Sequence, residues 1–561
     1  MQGLVENIKS SLAKALQVAI AGAVDKGQVN KLEIPEVIIE VPREKGHGDF
    51  ATNLAMQLAK PAKMAPRKIA EAIIENLDLA NTQVERVEIA GPGFINFYLQ
   101  PSWVHGVIPM IIQEDRNYGR LELGDGQRVQ VEFVSANPTG LLHMGNARGA
   151  ALGDSLASIL DFAGYRVSRE YYINDAGNQI ENFGKSLEVR YLQQLGQDIQ
   201  LPEEGYHGED IIDTVKGYIN KNGRGLLDAD QTTRRKTLAA YALQEKLTHI
   251  RNTLLDFGVV YDVWYSEQAL HDSGAIQETL DELRQKGFIY EQENALWFKA
   301  TAFGDEKDEV VVRSNGIPTY FAADIAYHKD KYKRGFDRVI DIWGADHHGH
   351  VNRMKGSMEA LGHNRDNLQI ILMQLVRLLR GGEVVRMSKR TGQFVTLEEL
   401  VEEVGRDAAR YFFVMRSPDS HLEFDLDLAK SQTNDNPVFY IQYAHARICS
   451  ILRQLQEQGR PLPEIAAINP TVLKEEAELE LLRKLADFPS EIAAAAEMMA
   501  PHRIARYLHD LAGLFHSFYN SHRVITENEA ISEARLVLVQ CVRIVLRNAL
   551  GLLGLTAPEK M

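Results

Sequence analysis

Residues 135–146 combine a tight polar turn with a histidine and the start of a helix, a pattern typical of a phosphate site. A run rich in β-branched residues, 129–134, precedes the turn, and small residues follow it. This order predicts a strand, a turn and a helix that begins at Met144 or Gly145. Free N–H groups at a helix start, with the helix dipole behind them, attract phosphate oxygens. His143 lies at the turn, where its ring can donate a further hydrogen bond to the same phosphate.

A second segment with phosphate-binding chemistry lies far downstream, at residues 386–392 (Arg-Met-Ser-Lys-Arg-Thr-Gly). A basic loop with hydroxyl and glycine residues can hold the β- and γ-phosphates of a nucleotide, with Lys389 as a mobile point charge. Taken alone, the segment is equally compatible with an exposed basic loop. Another basic cluster, between residues 329 and 338, is compatible with a solvated helix face.

Tyr320 and Asp324 lie on one helical face if a helix begins near Thr319. A carboxylate beside an aromatic ring suits a guanidinium, which pairs with the carboxylate and stacks on the ring. An exposed helix pair has the same spacing. The segment 343–350 contains three histidines and an aspartate, but the adjacent histidines point in different directions. We therefore expect no metal there.

The elements that must position these residues alternate between strands and helices from about residue 121 to 427. The alternation predicts an α/β fold with a Rossmann-like, doubly wound parallel sheet, whose ligands bind at the carboxyl ends of the strands. The expected strands are residues 129–134, 169–173, 338–343 and 369–373. The polar, helical pattern of residues 184–256 indicates an inserted or connecting segment.

The regions on either side of this sheet differ in pattern. The beginning of the chain predicts a small α+β domain, in which Asp49 caps a helix. Its expected elements are a helix over 6–23, a strand over 34–41, a helix over 50–58, and a hairpin of 84–90 with 94–99. After residue 436 only helical periods occur, which predicts an all-α bundle. The expected helices are 437–455, 473–499, 502–519 and 533–553.

The composition is that of a soluble globular protein with three or four domains. The chain has 561 residues and 25% charged residues, and no apolar run is long enough to span a bilayer. Its start lacks a secretion signal, so we expect a cytoplasmic protein that binds no membrane. Cys449 and Cys541 have no C-x-x-C partner, which favours buried free thiols. The net charge of -15 argues only mildly against nucleic acids, because binding follows the local field.

The turn at residues 135–146 resembles the H-I-G-H signature of class I aminoacyl-tRNA synthetases, and its Ala-Asn-Pro-Thr-Gly lead-in resembles the arginyl-tRNA synthetase version. The segment 386–392 resembles the K-M-S-K-S loop of the same class. Three positions depart from the pattern: Leu141 replaces a proline or polar residue, Asn146 the second histidine, and Arg386 the first lysine. The resemblance covers essentially the whole chain. Further segments that resemble this family are 171–179, 436–447 and 552–559.

The resemblance implies an arginine–tRNA ligase. Such an enzyme activates L-arginine with ATP and Mg²⁺ to arginyl-adenylate, releases pyrophosphate, and transfers arginine to the 3′-terminal ribose of tRNA(Arg). Residues 1–105 would bind the tRNA elbow, residues 120–430 would form the catalytic domain, and residues 431–561 would bind the anticodon. The resemblance implies no protein-only metal site, and we expect a monomer.

The resemblance also implies roles for individual residues. His143 would stabilise the α-phosphate and Lys389 the departing pyrophosphate, which makes both residues catalytic. The expected ATP-binding residues are Ala136, Asn137, Pro138, Thr139, Gly140, Leu141, Leu142, His143, Met144, Gly145, Asn146, Asp346, His347, Met387, Ser388 and Lys389. The expected arginine-binding residues are Glu132, Asn137, Tyr320, Asp324 and Gln374. The expected tRNA-binding residues are Tyr440, Tyr443, His445 and Arg447.

Two other functions are compatible with parts of the sequence. A nucleotidyl-transferring enzyme that uses no tRNA would have a similar turn, but it would not need the long helical C-terminal region. A non-catalytic RNA-binding paralogue would keep that region, but it would have no need of the loop around Lys389.

Overall fold

The computed structural model describes residues 3–42, 44–80, 82–202, 205–385, 395–460, 463–464 and 468–561. The sites predicted at Arg386, Met387, Ser388 and Lys389 lie outside the described residues. Within the described ranges, no helix is both long and apolar enough to cross a membrane.

The N-terminal region pairs a small antiparallel sheet with helices. The helices are α1 (Leu4–Asp25), α2 (Leu54–Ala62), α3 (Pro66–Glu75) and α4 (Val107–Glu114). The strands are β1 (Phe50–Thr52), β2 (Val84–Ala90) and β3 (Phe94–Leu99), in the order β1-β3-β2. The predicted hairpin is therefore confirmed as β2 and β3.

Three expectations for this region are wrong. Residues 34–41, all of them described, form no strand, because β1 is too short to pair along them; Glu40 alone forms an isolated bridge. The segment from Phe50 starts as β1, and the helix begins only at Leu54. Asp49 is not a helix cap: its carboxylate accepts the N–H of Leu99 at 2.8 Å and so fixes the end of β3.

The central region contains the predicted alternation of strands and helices. Its first strands are β4 (Arg128–Glu132), β5 (Arg166–Ile173), β6 (Val263–Ser266), β7 (Ile289–Gln292), β8 (Ala295–Phe298), β9 (Glu309–Val312), β10 (Arg338–Gly344) and β11 (Leu368–Met373). Its first helices are α5 (Met144–Phe162), α6 (Asn178–Gln194), α7 (Glu209–Asn222), α8 (Gln231–Asp256), α9 (Glu267–Asp272), α10 (Ala275–Gln285), α11 (Tyr320–Lys333) and α12 (Val351–Leu361).

A parallel sheet in the order β11-β10-β4-β5-β6 forms the centre of this region. Read from β6 to β11 and numbered from one to five along the chain, its strands have the doubly wound order 3-2-1-4-5. The direction in which successive strands join the sheet reverses between β4 and β10. The segments that follow β4 and β10 therefore meet at the crevice where such sheets bind ligands. The four predicted strands are confirmed, and the short strand β6 is an addition to them.

The rest of the central region lies beside this sheet. The helices α6, α7 and α8 of the predicted insertion have an apolar cluster of their own. The strands β7, β8 and β9 form a small antiparallel sheet. The remaining elements are β12 (Val376–Arg380), β13 (Glu383–Val384), α13 (Leu397–Val404), α14 (Arg406–Val414), β14 (Leu422–Asp425) and α15 (Leu426–Lys430).

The C-terminal region is the predicted helical bundle. Its helices are α16 (Pro437–Glu457), α17 (Glu476–Ala486), α18 (Phe488–Glu497), α19 (His502–Ser521) and α20 (Glu529–Leu552). The single helix expected over 473–499 is wrong, since it divides at Asp487. Pro489 lies in the first turn of α18, where the missing N–H costs no helical hydrogen bond. Both α18 and α20 pack against α5, so the bundle and the sheet share one apolar core.

Candidate active site

The helix α5 begins at the predicted turn, with His143 as its N-cap. The Nδ1 atom of His143 accepts the N–H of Gly145 at 3.1 Å, and the Oδ1 atom of Asn146 accepts the N–H of His143 at 3.0 Å. These reciprocal bonds form a capping box, so Asn146 stabilises the turn. Because Nδ1 accepts, the proton of a neutral His143 ring is on Nε2, which can donate to a phosphate.

The backbone just before this turn is strained. Val134 and Ser135 have φ angles of 69° and 39°, which are rare for residues other than glycine and costly for a β-branched one. Side chains from β5 and the loop after it hold this backbone in place. The Tyr171 hydroxyl donates to the backbone oxygen of Ala136 at 2.8 Å, and the Asn174 amide donates to that of Ser135 at 3.1 Å. The turn is therefore pre-organised by its own protein contacts.

The chain that follows residues 386–394 pairs directly with this turn. The N–H of Met144 donates to the oxygen of Val395 at 3.3 Å, and the N–H of Leu397 donates to the oxygen of Leu142 at 2.9 Å. The segment predicted to contain the second phosphate-binding lysine thus leads into residues that are hydrogen-bonded to the first phosphate site.

The predicted ATP-binding residues differ in exposure. The side chains of Leu142 and Met144 are 3% and 1% exposed, so only their backbone atoms can contact a nucleotide. The Pro138 side chain is buried as well. The predicted ATP-binding residues that are most exposed to solvent are Asn137, Leu141, Asp346 and His347. In the part of the chain that the structure describes, no group of three or more His, Cys, Asp or Glu is arranged to hold a metal ion.

Tyr320 and Asp324 lie at the start of α11, one turn apart, and the helix begins next to Thr319 as expected. The Tyr320 side chain is 49% exposed, so its ring is open to a ligand. The Asp324 carboxylate is partly exposed, and its Oδ2 atom lies 3.6 Å from the Nε2 atom of His350. The open ring and the partly exposed carboxylate remain the predicted guanidinium site.

Two buried side chains beside Asp324 were not predicted as site residues: Tyr172 lies in the segment 171–179 that resembles the family, and Glu267 lies in no such segment. The hydroxyl of Tyr172 and the Oε2 atom of Glu267 have no hydrogen-bond partner within the described ranges. Burial, and then the charges of Asp324 and Asp175, raise the pKa of Glu267 to about 7. Buried polar atoms normally have partners, and a guanidinium offers five N–H donors. The pocket is thus acidic, and its buried oxygen atoms lack hydrogen-bond donors that a cationic substrate would supply.

Glu132 lies at the end of β4, where both of its carboxylate oxygens are hydrogen-bonded. The Nζ atom of Lys331 donates to Oε2 at 2.6 Å, and the hydroxyl of Ser135 donates to Oε1 at 2.8 Å. Burial raises the pKa of Glu132, while the charge of Lys331 opposes this effect. Each carboxylate oxygen can accept a second hydrogen bond, so Glu132 retains capacity for an amino group.

Gln374 follows β11, and its backbone is fixed by a buried arginine of the helix α5. The Nη1 atom of Arg148 donates to the backbone oxygen of Gln374 at 2.7 Å. Burial lowers the pKa of Arg148 to about 10. Through this contact the helix α5, at whose start phosphate is predicted to bind, also supports a residue predicted to bind arginine.

Three of the four residues predicted to bind tRNA are partly exposed on α16. The guanidinium carbon of Arg447 lies 4.5 Å from the centre of the Tyr443 ring and 4.8 Å from that of Tyr519. The expectation for His445 is wrong in this structure, because the side chain is 3% exposed and its Nδ1 atom lies 2.9 Å from the oxygen of Pro558. His445 packs against the C-terminal segment and has no surface for RNA. Tyr440 is partly exposed beside this cluster.

Comparison with known families identifies the chain. Residues 6–99 match the arginyl tRNA synthetase N-terminal domain, residues 107–419 the catalytic domain of class I (R) tRNA synthetases, and residues 441–561 the DALR anticodon binding domain. The chain belongs to the arginyl-tRNA synthetases. This membership confirms the class I fold, the bundle and the enzyme class, arginine–tRNA ligase, that the sequence predicted.

Other arginyl-tRNA synthetases are similar to this chain along its whole length. The arginine–tRNA ligase of Desulforudis audaxviator is 61% identical, with 100% of both chains covered. That of Desulfitobacterium hafniense (strain DSM 10664 / DCB-2) is 62% identical over 99% of both. Among solved structures, a putative arginyl-tRNA synthetase from Campylobacter jejuni is 36% identical with a TM-score of 0.76, and the match covers 82% of this chain and 100% of that one. The arginyl-tRNA synthetase of Thermus thermophilus shares the fold, with a TM-score of 0.74 at 24% identity, over 98% of this chain and 100% of that one.

Proposed function

We propose that this arginyl-tRNA synthetase forms arginyl-adenylate in the crevice between β4 and β10 and then transfers arginine to the 3′-terminal ribose of tRNA(Arg). The observation that carries the proposal is that two complementary sites adjoin. A helix start suited to phosphate follows β4, and an acidic pocket suited to a guanidinium lies at the carboxyl ends of β5 and β6 and the start of α11. The N–H of Tyr172, in the pocket, donates to the hydroxyl of Ser135, in the turn, at 3.1 Å.

In the first step, a carboxylate oxygen of arginine attacks the α-phosphorus of ATP, and the bond to the bridging oxygen of pyrophosphate breaks. The Nε2 atom of His143 donates to the α-phosphate as its charge develops, and the positive end of the α5 dipole stabilises the same charge. The N–H groups of Met144 and Gly145 already donate within the protein. Lys389 neutralises the leaving pyrophosphate. The other ATP contacts are residues 136–146, Asp346, His347, Met387 and Ser388. Mg²⁺, when bound to the ATP phosphates, supplies further neutralising charge.

The substrate side chain lies in the acidic pocket. The carboxylates of Asp324 and Glu267 pair with the guanidinium, and the exposed ring of Tyr320 stacks on it. Gln374 lies beside the side chain of the bound arginine. The α-amino group binds at the other end of the substrate, where Glu132 and Asn137 accept its N–H donors.

In the second step, a hydroxyl of the terminal ribose attacks the carbonyl carbon of the adenylate, and AMP leaves. Tyr440, Tyr443 and Arg447 form part of an aromatic and cationic surface suited to unstacked bases of the tRNA. In this proposal residues 1–105 bind the tRNA elbow, residues 120–430 catalyse, and residues 431–561 bind the anticodon. The enzyme acts as a cytoplasmic monomer.

Arginine-dependent ATP–pyrophosphate exchange, measured with and without tRNA(Arg) and alongside arginylation, tests the proposal. We expect exchange with arginine, none with lysine, and arginylation of tRNA(Arg). Exchange without any arginylation would favour a nucleotidyl-transferring enzyme that uses no tRNA. Tight tRNA binding without exchange would favour a non-catalytic RNA-binding protein.

A further inference from the structure

Four buried ionisable side chains form a connected network behind the arginine pocket. The Nζ atom of Lys331 lies 2.6 Å from Oε2 of Glu132 and 2.7 Å from Oδ1 of Asp341. The other carboxylate oxygen of Asp341 lies 2.7 Å from the Nε2 atom of His328. Lys331 and Asp341 are fully buried, and His328 and Glu132 are nearly so. The proposed mechanism uses only Glu132 from this network.

Opposite charges hold the network together. The Nδ1 atom of His328 lies 2.7 Å from the backbone oxygen of Asp324, so both ring nitrogens of His328 face oxygen atoms. Burial alone would raise the pKa of Asp341, but Lys331 and His328 outweigh it and lower that pKa to about 2. Removal of Lys331 leaves two buried carboxylates without their shared cation.

The network also connects the two ends of the substrate site. Asp324, His328 and Lys331 follow each other along one face of α11, because their spacing corresponds to about one helical turn each. Asp324 is at the guanidinium end. Lys331 reaches Glu132 at the end of β4, where the α-amino group is proposed to bind. A single helix thus supports both ends of the arginine site.

We propose that Lys331 is a positioning residue that holds Glu132, as a carboxylate, in the orientation that binds the α-amino group of arginine. The inference rests on the proposed function, in which Glu132 receives that group. Without Lys331, burial favours the protonated form of Glu132, which donates where the amino group needs an acceptor. Removal of Lys331 should therefore weaken binding of the α-amino group and leave binding of the guanidinium unchanged.

The deamino analogue of arginine, which keeps the guanidinium and the carboxylate, separates these contributions. Its inhibition constant and the KM for arginine are measured in tRNA-supported pyrophosphate exchange for the wild type, Lys331→Met, and the charge-balanced double variant Lys331→Met/Asp341→Asn. We expect both variants to lose roughly tenfold to a hundredfold of the preference for arginine over the analogue. The KM for ATP and the affinity for the analogue should change less than about twofold, within measurement scatter.

Two further variants distinguish a failure of the inference about Lys331 from a failure of the role proposed for Glu132. Arg334→Gln breaks another ion pair on α11, that with Glu170, and should leave the preference unchanged. Glu132→Gln should lose the preference by itself. If it does so while both Lys331 variants keep the preference, Lys331 does not position Glu132, and the role of Glu132 stands. If Glu132→Gln keeps the preference, the amino-group site is elsewhere, and the inference about Lys331 is overturned with it.

Discussion

The proposed ATP half and the proposed arginine half of the active site are built in different ways. The ATP half consists mostly of backbone: a helix start, a capping box between His143 and Asn146, and a strained segment after β4 held by Tyr171. The arginine half consists of side-chain charge: the partly exposed Asp324 lies beside the buried Glu267 and helps to raise the pKa of Glu267.

This contrast indicates where each half obtains its stability and its specificity. The backbone groups of the ATP half are held by the capping box and by hydrogen bonds from β5, the loop after it and residues 395–397, so the turn is formed before ATP arrives. The acidic pocket keeps an excess of negative charge and two buried polar atoms without partners among the described residues. A guanidinium satisfies both deficits at once, so binding of the correct substrate stabilises the pocket.

The sharpest test of the arginine half is Asp324→Asn. Loss of one charge from a desolvated ion pair costs about 3–5 kcal/mol, or roughly a hundredfold to a few thousandfold in affinity. The KM for arginine should rise accordingly, and rejection of lysine should weaken, while ATP binding is unchanged. Asp330→Asn, on the same helix but paired with Arg334, is the matched control. An unchanged KM for arginine would place the guanidinium outside this pocket.

The corresponding test of the ATP half is His143→Ala, with Lys389→Ala in parallel. Removal of one donor to a developing phosphate charge costs about 2.7–4 kcal/mol, or roughly a hundredfold to a thousandfold in rate. Single-turnover formation of arginyl-adenylate should slow by this factor, while the affinity for arginine is unchanged. A near-normal single-turnover rate in either variant would remove that residue from the mechanism.

A pH profile separates the two halves by the ionisation of Glu267. Its pKa of about 7 means that acid protonates the carboxylate which the guanidinium needs. As pH falls from 8 to 6, kcat/KM for arginine should therefore decrease by about tenfold, since each unit below the pKa removes a factor of ten. The KM for ATP should not follow this change. The profile should flatten in Glu267→Gln, and an unaltered profile in that variant would assign the titration to another group.

The smallest expected effect concerns the capping box. Asn146→Ala removes the acceptor for the N–H of His143, and loss of a cap costs about 1 kcal/mol, or roughly fivefold. We expect a slightly lower melting temperature and a modest decrease in the rate of adenylate formation. Asn146→Asp keeps an acceptor and should behave like the wild type in thermal unfolding. Equal unfolding curves for all three proteins would show that the capping box does not stabilise the turn.

Prediction from the sequence succeeded where a signal is local. The strand, turn and helix around His143, the helix start near Thr319 and the hairpin of β2 and β3 each depend on residues close in sequence. The failures have tertiary causes. Residues 34–41 have a strand-like pattern but no partner of matching length, and His445 is buried by the C-terminal segment through Pro558.

The sequence by itself determined the class of protein, through motifs that resemble those of a known family. It also determined the order of the regions and the position of the turn before α5, because capping and periodicity act over a few residues. Only the tertiary structure decided which charges meet. Glu267 reaches Asp324, and Lys331 reaches Glu132, across 57 and 199 positions of the chain. Such contacts depend on how parallel strands and their connecting helices pack, and no local pattern specifies them. The electrostatics of the arginine pocket is therefore a property of the fold.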